Sequence, residues 1–143
     1  MGTGRKGSGI APLGARVPKA INFSSEIVVA DNSGAQIARV ISVRGYHGVK
    51  GRQPKCGIGD IVKIVVKKGS PDTKSKVYDA VIVRQKKAFR RANGMHVMFE
   101  DNACVIIKDL KKFEPLGTII KGPIPKEVAN RFQNIGRIAS VII

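Results

Sequence analysis

Four residues invite a metal reading first: His47, Cys56, His96 and Cys104, at intervals of nine, forty and eight. Zinc-binding chains bring their ligands in close pairs such as C-x2-4-C, because one short turn has to present two donors to one ion. No such pair stands here, so the spacing points to two loop or strand histidines and two core cysteines, with no metal and no cofactor. Catalysis has no better footing. Neither histidine has a carboxylate or a nucleophile beside it, and Asp60, Asp79, Glu100 and Asp101 stand at the ends of strand-like runs, where carboxylates cap turns. Gly45 to Lys50 is glycine-rich but lacks the Gly-Lys-Ser/Thr ending of a phosphate loop. Gly2 to Gly7 fits G-x-G-x-x-G, yet without the preceding strand and following helix that a dinucleotide site needs.

Neutralising phosphate is the chemistry that remains. Arg84, Lys86, Lys87, Arg90 and Arg91 put five cations into eight residues with no acid among them. Residues 44–55 carry Arg44, Lys50, Arg52 and Lys55, again without an acid. Residues 67–76 begin with Lys67 and Lys68 and hold four lysines around a Ser-Pro-Asp turn. The first nineteen residues add Arg5, Lys6, Arg16 and Lys19 among five glycines and two prolines. Over the whole chain 26 Lys and Arg face 10 Asp and Glu, a formal net charge of +16. Such a surplus repels itself and calls for a polyanion, nucleic acid before an anionic membrane surface.

The aromatic residues narrow the partner. Five Phe, two Tyr and no Trp occur in the chain, and only Phe89 and Tyr46 fall inside the basic segments. Binders of single strands need several aromatic platforms on which bases stack. Recognition of folded RNA by shape, through phosphates and sugars, fits this composition better. DNA fits less well, since no long basic helix offers itself to a major groove. No apolar run approaches the length of a membrane span and no signal-peptide core opens the chain, so a reducing, cytoplasmic setting without membrane contact is expected.

These cations need a scaffold, and it reads as β-structure. Glu26 to Ala30, Gln36 to Val43, Ile61 to Val66, Val77 to Val83, Met95 to Glu100, Ala103 to Ile107 and Thr118 to Ile120 are short, rich in Val and Ile, and bounded by turn formers. Several are apolar on both faces, which suggests a small barrel with one wall covered. Gly57 and Gly59 mark a tight corner, and Asn93-Gly94 a turn. Gly122 to Pro125 stops the last of these strands. A short helix is expected over Lys126 to Phe132, with Val128 and Phe132 on one face, followed by an apolar tail from Ile138 that docks as a strand or last turn. Residues 1–19 form a basic, Gly-rich arm, disordered when free, and residues 20–143 a single domain.

Seven blocks stand in the order found in one family: Ala30 to Ala35, Gly57 to Asp60, Ala80 to Arg84, Arg90 to Gly94, Phe99 to Ala103, Glu114 to Thr118 and Gly122-Pro123. From about Ala20 onward the chain resembles the universal large-subunit ribosomal protein numbered fourteen in bacterial and twenty-three in eukaryotic cytosolic naming. The resemblance implies a closed five-stranded β-barrel with a small helical C-terminal part, bound to large-subunit ribosomal RNA and beside other large-subunit proteins. It also implies a place at the intersubunit face, a bridge to small-subunit RNA, and a docking surface for an anti-association initiation factor. Carried onto this chain, 84–91 and 44–55 become the leading RNA contacts. The factor- or protein-facing surface falls on Lys126, Glu127, Asn130, Arg131 and Arg137. The bacterial pattern begins near Phe23, so the Gly-rich basic extension resembles archaeal and eukaryotic members. The expected function is that of a structural, non-enzymatic component of the large subunit; the alternative is a free-standing translation factor or RNA chaperone on a similar small barrel.

Overall fold

The computed structural model describes residues 13, 15–46, 48 and 50–143. In chain order its strands are β1 (Ile21–Asn22), β2 (Glu26–Val29), β3 (Ala35–Val43), β4 (Lys55–Cys56), β5 (Ile61–Gly69), β6 (Val77–Arg84), β7 (Phe89–Arg90), β8 (His96–Val97), β9 (Ala103–Asp109), β10 (Glu114–Pro115) and β11 (Ile120–Ile124). Two short helices, α1 (Lys126–Arg131) and α2 (Gln133–Ile138), and a last strand, β12 (Ala139–Ile142), complete it.

Strands β9, β2, β3, β5 and β6 pair in that order, and β6 pairs back onto β9 to close a five-stranded barrel. Closure removes both exposed edges, which in a short sheet would otherwise recruit other chains. All the barrel pairings are antiparallel except β2 with β9, where Val28 lies opposite Ala103. Alternation along the strands sends Ala38, Val40, Val62, Ile64, Val66, Ala80, Ile82, Cys104 and Ile106 inward. The two-residue ribbon of β1 and β4 contributes Ile21 and Cys56 to the same interior.

The opposite faces of β6 and β9 carry Val81, Val83, Val105 and Ile107, also buried, and these form the floor of a second core. Ile120, Ile124, Val128, Phe132 and Ile135 from β11, α1 and α2 cover them. One covered wall is what strands apolar on both faces lead one to expect. The expected helix is present, and Val128 and Phe132 both point into this core. The apolar tail docks as β12, parallel to β11.

Besides the two-residue strands β1, β4, β7 and β10, which fall outside the expected ranges, three elements differ from expectation. Met95 to Glu100 pairs only over His96–Val97, where it forms a small hairpin with β7; Met95 and Met98 are exposed and the following chain turns away. The strand expected over Thr118 to Ile120 starts at Ile120 and runs through Gly122 and Pro123, with a register shift between Ile120 and Pro123. Gly122 adopts φ +80°, and the Arg84 guanidinium lies where a Cβ would sit, so this glycine is a bulge and not a stop. The third difference is α2, which follows α1 after the single residue Phe132.

Candidate nucleic-acid interface

The barrel register decides which cations can meet. Val43 lies opposite Val62, Ile61 opposite Val81, and Arg84 opposite Ala103. The loop after β3 and the loop after β6 therefore leave from the same end of the barrel. Lys67 and Lys68 lie near the far end of β5, where Lys68 pairs with Ile37. Six residues separate Val62 from Lys68, about 20 Å along a strand. Of the three cationic segments, two converge and the third is placed apart. The last is also shorter as a loop than its sequence implies, because β5 continues to Gly69 and Ser70, Thr73 and Ser75 close the turn by backbone hydrogen bonds.

At the shared end, two glycines and one glutamine hold the parts together. Gly59 adopts φ +84° in the corner before β5, and its N–H donates to Ile82 O at 2.8 Å. A Cβ on Gly57 would sit 2.9 Å from Pro18 O, and one on Gly59 would collide with Leu13 Cδ1. The described part of the N-terminal arm, residues 13 and 15–19, thus lies on this corner. Lys19 Nζ donates to Asp60 Oδ2 at 2.6 Å, and Val17 packs against the second core. Gln85 is wholly buried; its Oε1 accepts from Ile58 N–H at 3.2 Å and its Nε2 donates to Lys87 O at 3.1 Å. Asn102 Oδ1 accepts from Lys86 N–H at 2.9 Å. Sequence reasoning passed over Gln85 and Asn102, since a single amide after an apolar run carries no signal of what it fastens.

The five cations of 84–91 separate into two kinds. Lys86, Lys87 and Arg90 are exposed. Arg84 and Arg91 are buried, each held by a carboxylate of the protein itself. Arg84 Nε and Nη2 donate to the two carboxylate oxygens of Asp101 at 2.8 and 3.1 Å, while Nη1 donates to Lys121 O at 2.8 Å. Arg91 forms the same fork with Glu127, at 2.8 and 3.2 Å, donates to Ile143 O at 2.7 Å, and lies 5.8 Å from the Phe89 ring centroid. Their charges serve to fasten β11, α1 and the tail to the barrel. Two charges taken out of water need this full set of partners to offset their desolvation.

The remaining candidates divide similarly. Arg44, Lys50, Arg52 and Lys55 are exposed, and Lys19, Tyr46, Arg52, Gln53 and Lys55 line a groove of about 490 Å³. Arg16 and Arg90 are exposed and line a second groove of about 360 Å³ with Ala15, Arg91 and Ala92. Arg5, Lys6 and His47 lie outside the described residues. On the C-terminal surface Lys126, Asn130 and Arg137 are exposed, whereas Glu127 is turned inward onto Arg91. Arg131 is half-buried, stacked 5.6 Å from the Phe132 ring centroid, with its Nε unpartnered.

The cysteines are structural. Both are free and buried, and desolvation pushes the Cys56 thiol up to about 12 and also raises that of Cys104. A thiol held so far from its anion is a poor nucleophile at neutral pH. Among the described residues no three His, Cys, Asp or Glu gather where they could hold a metal ion, and no helix is long and apolar enough to cross a membrane.

The sequence blocks that resemble one family turn out to be the fastenings of the fold. Asp31 Oδ2 accepts from Ile106 N–H at 3.0 Å inside the barrel wall, and Asn32 Oδ1 accepts from Thr118 N–H at 2.8 Å. Gly117 has no room for a Cβ beside Asn32 and Asp31. Arg84, Asp101 and Gly122 come from three separate blocks and meet in one cluster. A model of the family described as ribosomal protein L14p/L23e matches residues 20–143. The chain belongs to this family. It is 50% identical over 131 residues to the large ribosomal subunit protein uL14 of Methanocorpusculum labreanum, covering 92% of this chain and 98% of the relative. The corresponding proteins of Halorubrum lacusprofundi and Haloarcula marismortui are 52% and 47% identical with the same coverage. These relatives are archaeal, one of the two lineages that the N-terminal extension suggested. The family is one of structural ribosomal proteins, not enzymes.

Proposed function

We propose that this protein is a structural constituent of the large ribosomal subunit, located in the cytoplasm, that holds large-subunit RNA on one end of its barrel. The supporting observation is convergence. The arm at Arg16 and Lys19, the loop carrying Arg44, Lys50, Arg52 and Lys55, and the hairpin carrying Lys86, Lys87 and Arg90 share that end. Of the acids near that end, Asp60 is occupied by Lys19 and Asp101 by Arg84. A cationic surface on which Tyr46 is the partly exposed aromatic, Phe89 being buried, suits phosphates and sugars on folded RNA.

The C-terminal side, which adjoins this end where Arg91 reaches Ile143 O, suits protein neighbours. Val141, Ile142 and Ile143 leave about half of their surface exposed beside Lys126 and Arg137. On this reading that side meets other large-subunit proteins and receives an anti-association initiation factor, while the cationic end contributes to a bridge with small-subunit RNA. Sedimentation tests the assignment. The protein should remain with the large subunit through a moderate-salt wash; release into the supernatant would instead support a free-standing RNA-binding translation factor or chaperone.

A further inference from the structure

The arm meets the β7–β8 hairpin in an arrangement that lacks its counter-charge. Arg16 and Arg90 form an isolated antiparallel bridge, so they stand directly opposite each other. Residues so paired share one face of the sheet, and like charges directly opposite destabilise the pairing. Every Asp and Glu of the chain lies among the described residues, and the four ion pairs formed there involve neither Arg16 nor Arg90. Arg91 lines the groove as well, but its charge is matched by Glu127. The hairpin itself is firmly built: Arg91 N–H donates to Met95 O at 2.8 Å, Gly94 N–H to Arg91 O at 2.9 Å, and Asn93 Oδ1 accepts from Met95 N–H at 3.0 Å. Arg90 is therefore presented on a fixed support, while the arm rests on Val17, on Lys19 and on the contact of Pro18 with Gly57.

Resting on the RNA-binding reading above, we propose that Arg16 and Arg90 form a two-arginine clamp for a single RNA backbone phosphate, and that this phosphate fastens the N-terminal arm onto the barrel. One phosphate between the two guanidinium groups replaces a repulsion across the strands with two charge-assisted contacts. Because the clamp has one jaw on the arm and one on the hairpin, RNA binding and arm docking favour each other reciprocally. The arm is then the last piece of the interface to become fixed, and it does so on the RNA.

The test is a cycle on the full chain with Arg16→Ala, Arg90→Ala and both together, read as the salt dependence of binding to a fragment of large-subunit RNA. Two arginines on one phosphate predict a loss of slope well below about 0.9 in each single variant and about 0.9 in the double. A loss of about 0.9 in each single variant and about 1.8 in the double would place them on separate phosphates and overturn the clamp. No change in the double variant would also overturn it. Failure of the wild-type chain to bind the RNA would count against the RNA-binding reading itself. The second readout is hydrogen exchange at residues 15–19. The RNA fragment should slow exchange in the wild-type chain and not in Arg90→Ala, and inorganic phosphate alone should leave it unchanged. Equal protection by inorganic phosphate would make this a free-anion site and reject the RNA backbone as its ligand.

Discussion

Removing charge from two places within 84–91 should give opposite results, although the sequence presents them as one basic run. Lys86→Ala with Lys87→Ala removes two exposed ammonium groups whose backbones are fixed by Asn102 and Gln85. If each neutralises one phosphate, the slope of log affinity against log salt falls by up to about 1.8 on duplex-like sites. Arg91→Met with Glu127→Leu removes a cation from the same run but also its buried partner. Exchanging a buried ion pair for apolar groups of similar size is often neutral, whereas removing one partner costs about 3–5 kcal/mol. The Ile143 carbonyl keeps the Lys126 N–H at 2.9 Å after the exchange. The Arg91/Glu127 variant should thus fold and bind RNA with an unchanged slope. The assay is filter binding to a large-subunit RNA fragment over a series of salt concentrations, with circular dichroism as the folding control. A slope reduced by about 0.9 in the folded Arg91/Glu127 variant would refute the structural role given to Arg91.

Other outcomes follow from the same geometry. Glu127→Ala alone strands the buried Arg91 guanidinium and should cost about 3–5 kcal/mol in urea unfolding. Gly57→Ala sets a methyl group against the Pro18 carbonyl, so it should speed hydrogen exchange at residues 15–19 while leaving the barrel amides of β5 and β6 protected. Burial raises both thiols in the folded state, so their contribution is fully present below pH 9.0, the ordinary thiol value. It is lost as pH rises from there towards about 12, because the unfolded chain ionises first. By pH 10 the loss is on the order of 1 kcal/mol per thiol, visible as a weaker alkaline decline in stability for Cys56→Ala than for the wild-type chain.

The barrel was legible because its evidence is local. β2, β3, β5, β6 and β9 announce themselves by alternating Val and Ile, and the double apolar faces of β6 and β9 are visible in Val81 to Val83 and Val105 to Ile107. What the sequence hid is held by partners far along the chain. Arg84 is 17 residues from Asp101 and Arg91 is 36 from Glu127, so a run of charge gave no hint that two of its members are buried. Gly122 and Pro123 read as a stop because both are rare in strands, yet a bulge over the Arg84 guanidinium accommodates them. The docking of residues 15–19 was hidden for a similar reason. A Gly-rich basic segment lacks apolar surface of its own, and here Val17 borrows it from the second core.

The central claim is that RNA meets the end of the barrel where the arm, the loop 44–55 and the β7–β8 hairpin converge. Lysine acetylation of intact large subunits, compared with the free protein, measures this most directly. Strong protection of Lys55, Lys86 and Lys87, with Lys67 and Lys68 more reactive, is the predicted result. Protection of Lys67 and Lys68, with Lys86 and Lys87 reacting as fast as in the free protein, would contradict it.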